Sequence, residues 1–596
     1  MCGIGGIISR GTGSGKELSF QVDRMLDVMP WRGPDARGVF EAPGVALGHL
    51  RLSILDLSDA ANQPMSDEHG NVLVFNGEIY NYRELREELA EVHEFRTQSD
   101  TEVVLAAWHR WGTECTKQFN GEWAFALYDV RKKELILSRD RFGIKPLYYC
   151  LDGGRLCFAS EVRALLASGV PPRVKADRLL QCIKFYQIEP LDSTLVDGVL
   201  PLEPGTNLVF PLREEALRIE SYYTPADMLT SAVPEDPRQA AEEFGALLAD
   251  SVALRLHADV PVQLMLSGGL DSSTLVALAA NKERQRVKTL SYVCPGSSAD
   301  ESLFSSQVAA YWDTDHERIE FGNNDFFDIF DRVIEAQDCP THSADHVARY
   351  LLYQQAATRS KVILEGQGGD EVFGGYRVQY NVFREHYEAR LGVRLLMEMP
   401  PKPRKSSIPR VEEFGKDYWK RYRKVRRVTQ ELGSGHPYVD QQYMTLRNSL
   451  PSLLHTGDRL QMHHSLEGRY PFLDHRVVEF GMSMPVHHKM WTHDKYILRR
   501  NVDARNLLPR EVIWRRDKKG FCTQLQKCLL SSPEAKKHMY EVFREGVQQY
   551  PDFFSLSGLE KLLEEQYVHG VNNLQRLLAV YSMLRYMEKN KVQLAD

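Results

Sequence analysis

Cysteine is scarce in this chain. Nine cysteines in 596 residues, an odd number with no Cys-x-x-Cys spacing, form neither a disulfide framework nor a thiolate zinc site, and they point to a reducing, cytoplasmic setting. There is no run of 18 uninterrupted apolar residues, so no membrane span is expected. The apolar stretch 2–8 is too short for a secretory signal and has no basic residues ahead of it. An excess of charge of one sign is missing too: 74 Lys and Arg stand against 81 Asp and Glu, a net charge of −7. The basic cluster at 421–427 is short and mixed with apolar residues, as a solvated helix face would be, so no nucleic-acid partner is expected. Nor is there a low-complexity tract. What remains is ordinary globular usage, 43% hydrophobic and 26% charged, over a length that needs two or more cores.

Up to about residue 210 the chain carries short strand-like runs at 4–8, 45–50, 72–75, 125–128 and 135–138, separated by turns rich in Gly, Asp and Asn. Leucines at helical spacing predict a helix over 82–92, opening after Asn81. A second is expected over 101–111 beside Asp100, whose carboxylate suits a cap. This is an α+β or sheet-on-sheet pattern. Cys2 differs from the other cysteines by its position. Removal of Met1, which a small second residue permits, would put the thiol beside its own α-amine. That amine, of pKa roughly 8, can accept the thiol proton without a histidine.

The surroundings give this thiol a context: Met1-Cys2-Gly3-Ile4, Arg32-Gly33-Pro34-Asp35, Arg51-Leu52-Ser53-Ile54, Asn76-Gly77-Glu78-Ile79-Tyr80-Asn81, Ser99-Asp100 and Arg141-Phe142-Gly143. The ordered set resembles the class II glutamine amidotransferase domain over essentially the first 210 residues. That resemblance implies an N-terminal-nucleophile α-β-β-α sandwich in which Cys2 attacks the side-chain amide of glutamine, giving a thioester and ammonia. It implies that Asn76, through its side chain, and Gly77, through its N–H, form the oxyanion hole. Arg51 would clamp the glutamine α-carboxylate, Glu78 and Asp100 would hold the α-ammonium, and the backbone of Leu52, Ser53, Ile54 and Leu55 would line the pocket. One departure is visible: Pro30-Trp31 stands where relatives commonly have Arg-His, which touches the local loop and the coupling between sites.

The polar, proline-bearing stretch 211–236 reads as a connection between a domain at 1–210 and another at 237–596. In the second domain a helix over 237–256 precedes an apolar run of strand length at 260–266. The turn Ser267-Gly268-Gly269-Leu270-Asp271-Ser272-Ser273 follows, then a helical segment at 274–280. Strand, glycine turn and helix build a phosphate site: glycines let main-chain N–H groups approach, the serines add hydroxyl donors, and the helix dipole favours an anion. Asp271, an acceptor-only group there, suits Mg²⁺. No Gly-Lys-Ser/Thr ending is present, so this is not a Walker A loop. A second strand at 362–364 leads into Glu365-Gly366-Gln367-Gly368-Gly369-Asp370-Glu371, where Asp370 and Glu371 can serve Mg²⁺ or nearby polar groups.

Ser-Gly-Gly-Leu-Asp-Ser-Ser resembles the signature of the pyrophosphate-loop ATPases, which split ATP between the α and β phosphates to adenylate a substrate. With Asp458-Arg459, Glu467-Gly468-Arg469, Lys495-Tyr496 and Asp517-Lys518-Lys519-Gly520-Phe521 added, the chain resembles glutamine-hydrolysing asparagine synthetase from end to end. The resemblance implies that an α/β, adenine nucleotide hydrolase-like domain with a helical carboxy-terminal part follows the sandwich. It places ATP with its adenosine against the backbone at Met265, Tyr292, Glu365 and Gly366, and its pyrophosphate and Mg²⁺ on Ser267 to Ser273 with Asp271 and Asp370. Lys495 would neutralise charge as pyrophosphate leaves. Gln367 stands where several well-defined synthetases have Glu, a residue associated with forming and aminolysing the acyl-adenylate. Glutamine is no base near neutral pH, so either another group deprotonates the incoming ammonia or the acceptor is not aspartate. The expected reaction is amidation of a carboxylate, aspartate to asparagine by default, by glutamine-derived ammonia through an internal path. The alternative is a tailoring amidotransferase of the same family acting on another carboxylic acid. A binding-only paralogue is disfavoured, since Cys2, Arg51, Asn76, Asp100, Asp271 and Lys495 are all intact. A homodimer is compatible with the sequence.

Overall fold

Alternation of side chains decides the amino-terminal architecture. Along the strand Gly3–Ser9, Ile4 and Ile8 enter one apolar cluster and Ile7 another; along Val72–Ile79, Val72 and Val74 join Ile4 and Ile8, while Leu73 and Phe75 face the opposite way. The shared cluster lies between two six-stranded antiparallel sheets. One runs in the order Val199–Pro201, Tyr148–Asp152, Arg155–Ala159, Gly3–Ser9, Val45–Arg51, Ala36–Ala42. The other runs Arg218–Ser221, Thr206–Pro211, Glu134–Arg139, Gly121–Asp129, Val72–Ile79, Met65–Ser66. The outer face of the first packs on the helix Gly15–Asp27 through Val22, Met25 and Leu26; that of the second packs on Tyr82–Leu89 and Asp100–Trp111 through Leu85, Val103 and Val104. The layers are helix, sheet, sheet, helix, the expected sandwich.

The computed structural model describes residues 1–11, 15–185, 193–213, 216–283, 286–295, 300–320, 326–392, 414–424, 432–517 and 532–595. Lys518 to Phe521 and the basic cluster from 425 onward lie outside the described residues. Three local expectations in the first half are corrected. The helix expected to 92 ends at Leu89, where Glu87, Glu88 and Glu91 gather at the negative end of its dipole. The cap of the next helix is Ser99, whose hydroxyl accepts from Thr101 N–H, while the Asp100 carboxylate reaches across to accept from Ile79 N–H at 2.9 Å. Part of the expected connecting segment is sheet, since Arg218–Ser221 pairs with Thr206–Pro211.

The second half is built on five parallel strands in the order Asp315–Ile319, Lys288–Tyr292, Val262–Met265, Val362–Leu364, Glu467–Arg469. The strand expected at 260–266 is shorter because Pro261 has no N–H for the ladder. Its following helix, Leu270–Lys282, begins earlier than expected, which brings Ser272 and Ser273 into the first turn. Strand order reverses between Val262–Met265 and Val362–Leu364, so the crevice outside their carboxyl ends is where an open α/β sheet takes a ligand. Helices including Pro533–Gln549, Leu556–Tyr567 and Leu574–Lys589 complete the carboxy-terminal part. The last strand, Gln593–Ala595, returns to pair with Arg173–Lys175 of the first half. Among the described residues, no helix is long and apolar enough to cross a membrane.

Candidate active sites

The first strand delivers Cys2 to the edge of the sandwich, where it is buried. Its main-chain N–H donates to Asn76 Oδ1 at 2.8 Å, and its thiol lies 3.9 Å from Leu52 O. The amide orientation this fixes leaves Asn76 Nδ2 buried without a partner, a donor aimed at nothing in the protein. Gly77 follows where a Cβ would stand 2.1 Å from Glu122 O, so only glycine passes. Burial pushes the Cys2 thiol above its ordinary value, and the nearby terminal ammonium partly offsets this. That ammonium is on Met1, whose nitrogen donates to Glu467 Oε2 at 2.6 Å and whose side chain is buried in the same apolar cluster as Leu52, Ile54 and Ile144.

Three carboxylates surround this point. Burial raises Glu78 well above the carboxylate range and lifts Asp100 to about 6. Burial also acts on Glu467, but the terminal ammonium and Arg469 outweigh it and hold that group at about 2. Arg469 bridges Glu78 at 3.1 Å and Glu467 at 2.7 Å. Arg51 donates to Ser58 O and Asn62 Oδ1, both at 2.7 Å, and to the carbonyls of Leu55 and Asp56, so its guanidinium organises the loop after its strand. In that loop Ser53 N–H donates to Asp35, itself paired with Lys361, and Ile54 O accepts from Asp259 N–H.

Arg32 takes part as well, a residue with no expected role. Its Nε donates to Cys2 O at 3.1 Å, and its two terminal nitrogens form a fork on Asp458 at 2.9 Å each. Glu467, Arg469 and Asp458 likewise come from the other half of the chain. All four stand inside the motifs quoted above, which was the available signal, but nothing local says that they meet the thiol.

The second site is a cavity of about 370 Å³ at the carboxyl ends of the parallel strands, within the usual range for a small-molecule site. Every residue expected to serve nucleotide, metal or acyl transfer lines it, except Gly268 and Ser273, which are not part of its wall. Ser267 and Ser272 join hydroxyls at 2.9 Å. The helix Leu270–Lys282, which opens between them, has no side-chain cap, so the positive end of its dipole is turned to this serine turn. Gly268 makes the turn at φ +80. Met265, Leu290 and Tyr292 supply an apolar end.

At the polar end Lys495 pairs with both Asp271 and Asp370, the latter at 2.5 Å. Burial would lower its ammonium, but the two carboxylates outweigh that and raise it. Lys495 holds a left-handed backbone, φ +49, a strained conformation that the surrounding contacts must hold in place. Glu371 serves polar groups instead, accepting from Gly368 N–H at 3.0 Å and Tyr376 OH at 2.6 Å. Glu365 Oε1 accepts from Tyr353 OH at 2.6 Å and Oε2 from Gln367 Nε2 at 3.0 Å. Two convergent carboxylates sharing one cationic neighbour fit Mg²⁺, which is commonly bound by one or two carboxylates together with substrate phosphates.

A family profile described as "Asparagine synthase" matches residues 243–588, and one described as "Glutamine amidotransferase domain" matches residues 1–223. Asparagine synthetase [glutamine-hydrolyzing] 1 of Bacillus subtilis is 29% identical, covering 97% of this chain and 95% of its own length. Amidase chry2 of Gibberella zeae is 28% identical, covering 84% and 86%. A solved glutamine phosphoribosylpyrophosphate amidotransferase of B. subtilis is 18% identical with a TM-score of 0.29, covering 48% of this chain and 65% of that one.

Proposed function

Because the chain belongs to the asparagine synthase family of glutamine-hydrolysing carbon–nitrogen ligases, we propose that it amidates L-aspartate to L-asparagine in two separated half-sites. Cys2, freed of Met1, attacks the glutamine amide. Its own amine takes the thiol proton, and Asn76 Nδ2 and Gly77 N–H stabilise the oxyanion. Removal of Met1 leaves an opening beside Glu467, the group that holds the Met1 ammonium, with Asp100 and Glu78 as further acceptors, a wall suited to the glutamine α-ammonium. The Asn76 donor, already aimed and without a partner, supports this half of the reading.

In the other half-site ATP lies between Met265 and the serine turn. Asp271 and Asp370 would hold Mg²⁺, which when bound neutralises charge on the phosphates. Lys495 stays protonated and follows the pyrophosphate charge as it departs. The acceptor carboxylate attacks the α-phosphate, giving an acyl-adenylate and pyrophosphate; ammonia then displaces AMP. Convergence of Asp271, Asp370 and Lys495 at the strand switch point is the observation that carries this conclusion. Arg349, Arg515 and Arg516 on the cavity wall suit an anionic acceptor. A second reading, another carboxylic acid as acceptor, is favoured by Gln367 and by similarity to an amidase. Acid-dependent pyrophosphate release with ATP and Mg²⁺, screened over carboxylic acids, tests both: stimulation by aspartate is expected, and a response only to another acid selects the second reading.

A further inference from the structure

Aminolysis of an acyl-adenylate needs a proton acceptor. When ammonia adds to the carbonyl carbon its nitrogen becomes positive, and a proton must leave before the C–O bond to AMP breaks cleanly. Gln367 cannot take it. Of the carboxylates lining the cavity, Asp271 and Asp370 are tied to Lys495, Asp494 to Arg499 at 2.6 Å and Glu301 to Arg515 at 2.8 Å. Glu371 and Asp300 hold main-chain N–H groups of Gly368 and Ser302. Glu365 is different. Among the described residues its oxygens meet no salt-bridge partner and no main-chain N–H; its two donors are the Tyr353 hydroxyl and the Gln367 amide, both neutral and both on the cavity wall, while the Arg349 guanidinium stands near enough to act on its charge. Burial and the Glu365 charge raise Tyr353, which keeps its proton and holds the carboxylate in place. With Gln367 Nε2 turned to Glu365, Gln367 Oε1 is left buried and without a partner, an acceptor free for an N–H of the nucleophile.

We propose that Glu365 is the proton acceptor of the amide-forming step, with Tyr353 and Gln367 as its positioning residues. This rests on the acyl-adenylate reading above. Ammonia attacks the acyl carbon while donating one N–H to Gln367 Oε1. Glu365 takes the proton as the C–N bond forms, the C–O bond to the adenylate phosphate breaks, and AMP leaves with the electron pair. The proton passes from Glu365 to AMP or water, which balances the step.

The test uses the full-length enzyme with an acid that supports pyrophosphate release in the wild type. Hydroxylamine is nucleophilic as the free base near neutral pH and traps an acyl-adenylate as the hydroxamate with little need of a base. Glu365→Gln should lower ammonia-dependent amide formation on the order of 10²-fold, while hydroxamate formation and acid-dependent pyrophosphate release stay within about threefold of the wild type, as a base acting only in aminolysis requires. The exchanged variant Glu365→Gln/Gln367→Glu, which restores a carboxylate two residues along, should recover about tenfold of the lost rate. Equal loss of hydroxamate and amide, or undiminished amide formation in Glu365→Gln, overturns the proposal. A wild type that forms amide but no hydroxamate with any acid overturns it differently, by removing the acyl-adenylate itself.

Discussion

The thiol site and the nucleotide cavity are assembled in opposite ways. The cavity is drawn from one half of the chain: its serine turn, its two aspartates and Lys495 all sit on or after strands of a single parallel sheet. The thiol site is finished by the other half, since Glu467 and Arg469 enter it from the edge strand of that same sheet, and Arg32 is forked on Asp458. Glu467–Arg469 therefore faces both ways. It pairs with Val362–Leu364, and Arg469 O accepts from Glu365 N–H at 3.1 Å, one residue from the nucleotide turn. The chemistry can be divided between the halves, but the structure of the glutamine site cannot.

Cys2→Ala pushes that division hardest. Glutamine-dependent amidation should vanish while activity with ammonium salts remains, because the acyl-adenylate is made elsewhere; equal loss with both nitrogen sources would refute the separation. Asp271→Asn should do the reverse, removing synthesis by a factor on the order of 10³ or more while glutamine hydrolysis persists. The ion pair with buried Lys495 is broken, and a ligand of the proposed Mg²⁺ site is lost with it. Full synthetic turnover in Asp271→Asn would reject its assignment.

Much of this division was legible in the sequence. The helix Pro237–Leu256 and the strand Val362–Leu364 follow from their apolar spacing and flanking turns, and the two glycine turns mark the crevice because they carry the residue types that a phosphate and metal site would demand locally. The strand Arg218–Ser221 was not legible: it is exposed along its length and so lacks the apolar alternation that marks its neighbours. Nor were the roles of Arg32, Glu467 and Arg469. A buried charge is placed by whatever opposes it, and these opponents lie hundreds of residues away, as from Met1 to Glu467.

Arg469→Met sharpens the comparison at the shared strand. Removing one guanidinium leaves Glu78 and Glu467 buried with less compensation, a loss of about 3–5 kcal/mol, measurable as a lowered denaturant midpoint. In the chain that keeps Met1, the sign with pH follows from Glu467, whose folded value the terminal ammonium and Arg469 depress to about 2. Its contribution is present above the ordinary carboxylate range and lost as pH falls toward 2. In Arg469→Met that loss should begin at higher pH. An acid-unfolding profile identical to the wild type would show that the bridge does no stabilising work. Arg469 also donates to the carbonyls of Arg255 and His257, but the carboxylates it bridges, Glu78 and Glu467, stand beside the thiol, so ammonia-dependent synthesis per folded molecule should change less than glutamine-dependent synthesis.

The smallest effect belongs to Trp31, in the loop that carries Arg32. Its ring lies 5.0 Å from the Arg163 guanidinium carbon and 5.0 Å from the His463 ring, its indole N–H points to Glu161 at 3.5 Å, and its carbonyl accepts from Ser465 Oγ at 2.8 Å. It thus pins the loop carrying Arg32 against the second half of the chain. Trp31→Ala removes a cation–π contact of about 0.5–2 kcal/mol but leaves Arg163 paired with Glu161 at 3.0 Å and Arg32 on Asp458, so the fold should hold. What loosens is the reach of Arg32 to Cys2 O. Glutamine hydrolysis should then run less tightly with synthesis, raising glutamate released per amide formed by about twofold, a shift of about 0.4 kcal/mol by the usual tenfold-per-1.4 relation. Trp31→His, keeping a ring against His463, should stay closer to the wild-type ratio. Abolished amidation in Trp31→Ala would mean that this loop holds the thiol site together rather than tuning it, and the two halves would then be less separable than their chemistry suggests.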